Sequence, residues 1–361
     1  MDRRSLLKTG GIAGVLAAGV APAVHAQATV RWRLASSFPK SLDTIFGGAE
    51  VFAQKVRQMS GGKFEVSVHP AGELMPALSV LDGVQNGTVE ACHTASLYFF
   101  GKNEAFAIGT NVPFGMNTRQ MTAWMLDGNG MKLMRELFAK YNIVNFLGGN
   151  TCAQMGGWFR KEIKSAADFK GLKFRVGGFN GKILERMGVV PQNIPGGDVY
   201  ASLEKGTIDA AEFVGPYDDQ KLGFHKVAPN YYYPGYWEGT GQVDFLINQK
   251  AFEALSPENK AIVESASLAA HQTMISRYDS RNPTALKQLV ASGAKLRPFP
   301  QDVVAGAHKH ALALFDQLSD TNPDWKKIYT DYTRFAADAH MWFRFTETPF
   351  DRYMQSVKSP A

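Results

Sequence analysis

One arrangement of helix end, glycine cap and strand occurs twice in the chain, and it constrains the fold more than any other feature. The segment Gln85-Asn-Gly-Thr-Val-Glu-Ala91 is matched by Glu204-Lys-Gly-Thr-Ile-Asp-Ala210. In both segments a β-branched residue starts a strand directly after the glycine, and an acid follows it. The strands predicted before them, Lys63–Val68 and Leu172–Val176, also resemble each other. We therefore predict an α/β fold whose wiring is used once in each of two lobes.

The first lobe shows this wiring in full. Strands that alternate with amphipathic helices need crossover connections, so the order predicts a parallel sheet with covering helices. The predicted elements are a strand at Val30–Ala35, a helix at Thr44–Met59, a strand at Lys63–Val68, a helix at Pro76–Asn86 and a strand at Thr88–His93.

The chain is expected to cross between the lobes more than once. Ile143–Asn150 is predicted as a strand that ends in a glycine turn, and Val243–Asn248 as a buried strand that returns to the first lobe. Repeated crossing makes a hinge, and a hinge makes a cleft that can close. We place lobe 1 at residues 27–150 plus about 239–290, and lobe 2 at residues 151–238 plus about 291–320.

A long C-terminal helix is predicted at about residues 323–356. Its apolar residues recur at spacings of three and four, which is typical of a helix with one buried face. That face packs either on the protein's own core or on a partner subunit. The apolar residues are Trp325, Ile328, Tyr332, Phe335, Ala339, Trp342 and Phe345.

Residues 1–26 are predicted to be an export signal that is removed. Arg3 and Arg4 precede a mild apolar run, and small residues near Ala26 approximate a signal-peptidase site. The arginine pair is similar to a twin-arginine signal, which exports a folded protein. The run is too short and too rich in glycine for a membrane anchor, so we expect a soluble exported protein that begins near Gln27.

Charge and cysteine content exclude two classes of site. The full chain carries a net charge of +6, and loss of residues 1–26 removes three basic residues and one acid, which leaves +4. No basic stripe with interleaved aromatic residues accompanies this charge, so we expect no nucleic-acid binding. Cys92 and Cys152 either pair or remain free, and two cysteines do not make a zinc site.

Arg175 is the leading candidate for anion binding. It lies in the predicted strand Lys173–Val176, and this strand is followed directly by the glycine pair Gly177 and Gly178. Its planar guanidinium can hold both oxygens of a carboxylate, and the glycines leave the backbone beside it bare. A solvated arginine on an edge strand is the alternative interpretation.

Oxygen-bearing side chains are predicted near Arg175. Glu212 follows the strand Thr207–Ala211, at the position where α/β sheets bind ligands, and its neighbours are apolar. Gln154 and Glu238 flank glycine-rich or aromatic turns that we expect to reach the same cleft. Two carboxylates and an amide oxygen suit a hard cation better than a soft one.

The common sequence signatures of enzymes are missing. The chain has no G-x-S-x-G, Walker, G-x-G-x-x-G or H-E-x-x-H motif, and its histidines are scattered. Asp218 and Asp219 are predicted to be solvated in a loop. The aromatic residues of 98–100 and 231–237 are predicted to form the walls of an apolar pocket, with an ordinary core as the alternative.

Several short motifs together resemble the extracytoplasmic receptors of TRAP transporters, the DctP family, and most closely the branch that binds 2-oxo acids. The similarity extends from the signal to the last helix. The motifs are Arg33-Leu-Ala-Ser-Ser-Phe-Pro-Lys40, Ala71-Gly-Glu-Leu74, Gly148-Gly-Asn150, Gln154-Met-Gly-Gly-Trp158, Arg175-Val-Gly-Gly178, Glu204 to Ala210 and Val214-Gly-Pro-Tyr-Asp-Asp219.

The resemblance implies a two-lobed periplasmic binding protein that closes on a small monocarboxylate such as pyruvate or 2-oxobutyrate. Arg175 would form a bidentate ion pair with the carboxylate. Gln154, Glu212 and Glu238 would give side-chain oxygens, and Phe213 its backbone carbonyl, to a sodium ion that bridges to the ligand, with calcium as the alternative. The branch usually carries Trp at position 213, and Phe213 keeps the carbonyl but changes the pocket shape.

The resemblance also implies further ligand contacts and partners. Tyr98, Phe99, Asn150 and Tyr236 would line the rest of the site. Relatives of this branch form homodimers by exchanging the C-terminal helix, and the family delivers its ligand to a small and a large membrane subunit.

Two functions therefore compete. The first is a receptor for 2-oxo acids, with lactate or a sugar acid as alternative ligands. The second is an exported enzyme that acts on a carboxylate, for instance a metal-assisted lyase. The sequence shows no plausible general base near Arg175, which favours the receptor.

Overall fold

The fold was determined as a computed structural model that describes residues 29–357. The predicted signal at residues 1–26 lies outside the described residues. Within 29–357, no helix combines the length and the apolar character needed to cross a membrane. Cys92 and Cys152 are both free thiols in this part of the chain, so they do not pair.

Strands and helices alternate through most of this range. The strands are β1 (Val30–Ser36), β2 (Phe64–His69), β3 (Ala91–Thr94), β4 (Ile143–Asn150), β5 (Gly157–Phe159), β6 (Lys173–Arg175), β7 (Val190–Gln192), β8 (Ala210–Ala211), β9 (Asn230–Tyr233), β10 (Gln242–Asn248) and β11 (Lys295–Pro298). The helices are α1 (Ile45–Met59), α2 (Val80–Gln85), α3 (Thr118–Leu126), α4 (Gly130–Ala139), α5 (Gly178–Glu185), α6 (Val199–Glu204), α7 (Pro216–Leu222), α8 (Gln249–Glu253), α9 (Pro257–Ala291), α10 (Gln301–Thr321), α11 (Pro323–Phe345) and α12 (Glu347–Ser356).

The first lobe is built on a sheet of order β2-β1-β3-β10-β4. Its β1, β2 and β3 are parallel, as the alternating order predicts. The sheet as a whole is mixed, because β10 runs antiparallel to both β3 and β4. The prediction of parallel pairing is therefore confirmed for the three strands it concerned, and β10 runs against the other strands of this sheet. The physical reason is that β10 enters from the other lobe and not through a crossover helix.

The second lobe repeats this topology in a sheet of order β11-β9-β5-β8-β6-β7. Its β6, β7 and β8 are parallel, and β5 is antiparallel to β8 and β9. The wiring β-α-β-α-β is thus used twice, and in both lobes the first of the three strands lies between the other two. By this topology β6 corresponds to β1, so the predicted correspondence of Leu172–Val176 with Lys63–Val68 is wrong. Short strands of similar composition do not reveal their position in a sheet.

The chain passes between the sheets at two strand-to-strand links. Residues 151–156 join β4 to β5, and residues 234–241 join β9 to β10. Helix α9 adds a third link, because it packs on α1 and β4 of the first lobe and on α7 of the second. The buried core is accordingly divided among clusters that lie within the lobes and between them.

Gly148 and Gly149 lie inside β4 and do not form the predicted turn. The pairing of β4 with β10 shifts between Val243 and Asp244, so that Gly148 is the extra residue of a β-bulge. A Cβ on Gly148 would lie 2.7 Å from the backbone of Asp244, and one on Gly149 would lie 2.2 Å from the Met274 side chain. Glycine is needed here because α9 and β10 approach β4 closely.

Two predicted helices differ from the structure. The helix predicted at Pro76–Asn86 is confined to Val80–Gln85, because residues 76–79 form a turn in which Ser79 N–H donates to the Pro76 carbonyl at 2.9 Å. The C-terminal helix predicted at 323–356 is two helices that meet at Thr346. Pro349 explains this break, because its ring would clash with the carbonyl of Phe345 in a continuous helix.

Candidate functional site

A small cavity lies where the two lobes meet, and segments from both lobes line it. Its volume is about 30 Å³, which is room for about two water molecules. The lobe 1 residues on its wall include Phe38, Ile45, Ala95, Leu97, Tyr98, Thr110 and Val243, and the remaining wall includes Thr151, Gln154, Arg175, Gly177, Glu212, Phe213, Val214, Glu238, Gly241 and Gln242.

Arg175 ends strand β6 and points its guanidinium into this region, with only 3% of the residue exposed. Its Nε donates to the Ile194 carbonyl at 3.0 Å. One terminal nitrogen donates both to the Glu212 backbone carbonyl and to Glu212 Oε1, each at 2.5 Å. The guanidinium is therefore fixed by internal partners on two sides. A ligand would meet the remaining edge of the fork, which is a narrower contact than the fully free fork expected from the sequence.

Two aromatic side chains complete the surroundings of this cation. The ring of Phe213 lies 5.4 Å from Arg175 Cζ, within cation–π range. The Tyr98 hydroxyl interacts with the guanidinium. Burial raises the pKa of Tyr98, and the charge of Arg175 partly opposes this shift. At neutral pH the Tyr98 hydroxyl thus keeps its proton and can donate a hydrogen bond to an anion beside Arg175.

Glu212 and Glu238 are both buried beside Arg175 and influence each other. Burial raises the pKa of Glu212 to about 7, while Arg175 opposes the shift. Burial, and next the charge of Glu212, raise the pKa of Glu238 well above its usual range, and Arg175, Gln154 and Asn111 oppose it. Burial and the neighbouring Glu212 thus favour the protonated form of Glu238 beside a single guanidinium, and a second cation could take the place of that proton.

The oxygens around these carboxylates fit a hard cation. Among the described residues, Gln154 Oε1 is buried without a hydrogen-bond partner, because its Nε2 donates to Thr151 Oγ1 at 2.8 Å and leaves the oxygen free. No hydrogen bond to the Phe213 carbonyl is found in residues 29–357 either. Carboxylate, amide and carbonyl oxygens are the ligands that sodium and calcium prefer. No group of three or more His, Cys, Asp or Glu side chains suited to a metal occurs in that range.

The structure thus brings together six predicted site residues and separates three others from them. Arg175, Gln154, Tyr98, Glu212, Phe213 and Glu238 share the cavity wall. Phe99, Asn150 and Tyr236 do not lie on that wall.

Each of the three has a structural environment of its own. Phe99 is buried in a hydrophobic cluster. Asn150 ties the interlobe links together, donating to Thr240 Oγ1 at 2.7 Å and accepting from Cys152 N–H at 2.8 Å. The Tyr236 ring stacks on Phe114 with 5.0 Å between ring centroids. Their predicted ligand contacts are not supported by these positions. The sequence alone does not show in which direction a side chain at a strand end or in a loop points.

The apolar part of the wall was missed at the sequence level. Phe38, in the segment between β1 and α1, and Ile45, the first residue of α1, are 1% and 2% exposed. One signal could have found them: in parallel sheets, ligands bind beyond the carboxyl ends of the strands. Phe38 lies two residues after the end of β1, as Gly177 lies two residues after the end of β6, and both line the cavity.

Asp218 and Asp219 are buried in α7, so their predicted solvation in a loop is wrong. Asp219 Oδ2 accepts hydrogen bonds from Trp158 Nε1 at 2.9 Å and from the Tyr231 hydroxyl at 2.7 Å. The rings of Trp158 and Tyr231 stack with 3.8 Å between centroids. These contacts hold the start of α7, and with it the segment that carries Glu212.

Comparison with known proteins gives one family and several close relatives. The profile of the bacterial extracellular solute-binding proteins of family 7, DctP, matches residues 35–320. The chain is 43% identical to a monocarboxylate 2-oxoacid-binding periplasmic protein of Nostoc sp., over 99% of this chain and 100% of that one.

Two solved structures are similar over nearly the whole fold. A TRAP transporter solute-binding protein of Bordetella bronchiseptica, a mixed-occupancy dimer with copurified calcium and picolinate, is 50% identical, with a TM-score of 0.90 over 91% of this chain and 98% of that one. A TRAP periplasmic solute-binding protein of Pseudoalteromonas atlantica, with bound sodium and pyruvate, is 36% identical, with a TM-score of 0.88 over 91% and 100% of the two chains.

The buried Asp219 leads to a prediction about pH. Burial raises its pKa from 3.8 to about 6, although Tyr231 and Trp158 oppose the shift. Between these two pKa values the folded protein holds a proton on Asp219 that the unfolded chain releases. The contribution of this carboxyl group to the free energy of unfolding is therefore present below about pH 4 and is lost as the pH rises through 6. We expect Asp219→Asn to remove this part of the pH dependence, about 1–3 kcal/mol.

Urea unfolding at a series of pH values measures the effect. Asp218, Asp244 and Glu212, whose pKa values burial raises to about 7, titrate in both proteins. The charge of Asp219 adds to the shifts of Asp218 and Glu212, so the difference between the two curves reports Asp219 together with this coupling. The exposed Asp198→Asn is the matched control. Parallel curves for wild type and Asp219→Asn would contradict the prediction.

Proposed function

Since the chain belongs to the DctP family of bacterial extracellular solute-binding proteins, we propose that it is the periplasmic receptor of a TRAP transporter for small 2-oxo acids such as pyruvate and 2-oxobutyrate. It binds the ligand between its lobes and delivers it to a small and a large membrane subunit for uptake. Export of the folded chain through a twin-arginine signal at residues 1–26 is part of the proposal.

The observation that carries the proposal is the lone guanidinium of Arg175 in a buried, mostly apolar cavity. Among the described residues that line the cavity, Arg175 is the one basic side chain. A single fixed cation selects a monocarboxylate, because a second carboxylate on the ligand would be buried without a partner. The Nostoc relative is named for the same class of ligand.

A hard cation belongs to the proposed site. Gln154, Glu212 and Glu238 would hold it through side-chain oxygens and Phe213 through its carbonyl. Bound there, it would supply the positive charge that the second carboxylate lacks and would attract the oxygens of an anionic ligand. The Pseudoalteromonas neighbour has sodium and the Bordetella neighbour calcium, so sodium is our first choice and calcium the alternative.

The apolar residues of the cavity wall disfavour one of the two alternative ligands. Phe38, Ile45 and Leu97 offer no hydrogen-bond partners to a chain of hydroxyl groups, so a sugar acid would lose its hydration there without compensation. Lactate differs from pyruvate in one oxygen and remains the nearer competitor.

Membership of this family argues against the lyase alternative more strongly than the residues of the site do. Glu212 and Glu238 lie on the cavity wall with Arg175, as expected, and the expectation that no general base lies there stays a prediction. Both carboxylates are, however, accounted for by Arg175 and the proposed cation, and members of this family bind solutes.

The arrangement of the lobes and their partner is also proposed. We assign lobe 1 to residues 27–150 plus about 239–290 and lobe 2 to residues 151–238 plus about 291–320, with closure at the two strand-to-strand links. The end of α11 and all of α12 carry exposed large apolar residues, among them Phe345 at 73% and Tyr353 at 65%. We propose that a second copy of the chain covers this face in a homodimer.

Arg175→Lys tests the carboxylate contact. We expect weaker binding of pyruvate by about 1.5–3 kcal/mol, because lysine cannot reproduce the directed donors of the guanidinium. Calorimetry with pyruvate, 2-oxobutyrate, lactate and a sugar acid measures it, and recovery of unchanged ligand afterwards separates a receptor from an enzyme. The exposed Arg57→Lys is the control. Unchanged affinity in Arg175→Lys would refute the assignment.

Removal of the cation tests the metal site. We expect pyruvate to bind more weakly in chelated, sodium-free buffer and to recover its affinity on addition of sodium or calcium. Glu238→Gln should reduce this response, because it removes one negative charge from the cation's ligands. Identical titrations of the wild type with and without both cations would rule the site out.

Phe345→Ser combined with Phe350→Ser in the full chain tests the dimer. Sedimentation velocity should show a dimer for the wild type and a monomer for the variant, since the variant loses apolar area at the proposed contact. Leu74→Ser, also at an exposed apolar residue, should stay dimeric. A monomeric wild type would contradict the proposal.

A further inference from the structure

A cluster of charged residues joins the two lobes outside the cavity. Asp43, from the segment between β1 and α1, forms ion pairs with Lys221 of α7 and with Arg281 of α9. The Tyr217 hydroxyl, also from α7, donates to Asp43 Oδ2 at 3.2 Å. We name these four residues, Asp43, Tyr217, Lys221 and Arg281, the rim cluster.

The cluster is tightly connected within itself. Arg281 lies 3.2 Å from Asp43 Oδ2 and donates to Thr44 Oγ1 at 2.9 Å. The Tyr217 ring lies within cation–π range of both cations, 4.6 Å from Lys221 Nζ and 5.1 Å from Arg281 Cζ. Lys221, Tyr217 and Arg281 hold the pKa of Asp43 below its usual range, although burial opposes them. One carboxylate thus connects two basic side chains that belong to other elements.

Both halves of the cluster continue into the cavity wall. Asp43 lies between Phe38 and Ile45, which line the cavity from lobe 1. Tyr217 and Lys221 belong to α7, which follows Glu212, Phe213 and Val214 on the opposite wall. In this structure the contacts of Asp43 with Lys221 and Tyr217 therefore join the two walls of the cavity.

The exposure of these side chains places the cluster at the rim. The side chains of Asp43, Lys221 and Arg281 are 47%, 30% and 33% exposed, whereas Phe38 and Ile45 are nearly fully buried. An ion pair with this exposure contributes little to folding. It can still bias the balance between two lobe arrangements, because that balance needs only a small free energy to shift.

We propose that Asp43 is a positioning residue that holds the cleft closed through Lys221 and Tyr217 of α7, and so sets how long a bound carboxylate stays. Arg281 belongs to the same lobe as Asp43 and orients its carboxylate. The inference rests on the proposed function, since it needs a ligand enclosed between the lobes. Asp43 touches no ligand and acts through the two walls that its segment and α7 form. Its contribution is electrostatic and weakens as ionic strength rises.

Stopped-flow fluorescence with pyruvate tests the proposal, with sodium held constant and ionic strength varied from about 0.05 to about 0.5 M with choline chloride. We expect Asp43→Asn to raise the dissociation rate about 2- to 10-fold at low ionic strength and to change the association rate much less. High ionic strength should raise the rate of the wild type toward that of the variant. Asp82→Asn is the matched control, because Asp82 pairs with Lys102 within lobe 1.

A double-mutant cycle and scattering complete the test. The effects of Asp43→Asn and Lys221→Met on dissociation should be less than additive, because both remove the same contact. Small-angle scattering of the ligand-free proteins should show a larger radius of gyration for Asp43→Asn than for wild type or Asp82→Asn. Thermal unfolding checks that each variant is folded.

The outcomes separate the two proposals. Wild type that binds pyruvate, with a dissociation rate unchanged in Asp43→Asn, would overturn the role of Asp43 and leave the receptor standing. Wild type that binds no carboxylate would overturn the proposed function. In that case the scattering comparison alone decides, and equal radii of gyration would overturn the role of Asp43 as well.

Discussion

The structure depends on the burial of one guanidinium between two lobes. Arg175 is almost fully enclosed, and a charge in that position is stable only when partners replace the water it has lost. Glu212 and the Ile194 carbonyl supply those partners on two sides. The acid that fixes the arginine adds a negative charge of its own, and the neighbouring Glu238, whose pKa burial raises, can exchange its proton for a second cation. A site that binds an anion therefore also favours a cation.

The hydrogen bonds that hold the surroundings of Arg175 in place extend through the second lobe and into the two interlobe links. Asp219, held by Trp158 and Tyr231, anchors the start of α7 and therefore the strand end that carries Glu212. Asn150 bonds to groups of both interlobe links, so the wall that carries Gln154 and Glu238 is fixed relative to the first sheet. The bulge at Gly148 lets β4 pass beneath α9 at the point where this wall begins.

Enclosure and release make opposite demands on such a protein. The apolar wall and the buried charges favour a shut cavity, while transport requires that the lobes separate again. In this chain the strongest interactions lie inside one lobe or in the links, as between Arg175 and Glu212. The contacts across the mouth are weaker and partly solvated, as in the rim cluster.

The sequence by itself determined the doubled α/β wiring, the strand positions of Arg175 and β10, and the presence of acids near one arginine, because local periodicity, glycine caps and residue chemistry are read over short distances. Only the tertiary structure decided that β10 lies antiparallel in the first sheet, and that Phe38 and Ile45 face Arg175 while Phe99, Asn150 and Tyr236 do not. It also decided that Asp218 and Asp219 are buried and that Arg175 is held by Glu212. These outcomes depend on contacts between residues far apart in the chain, which no local pattern records.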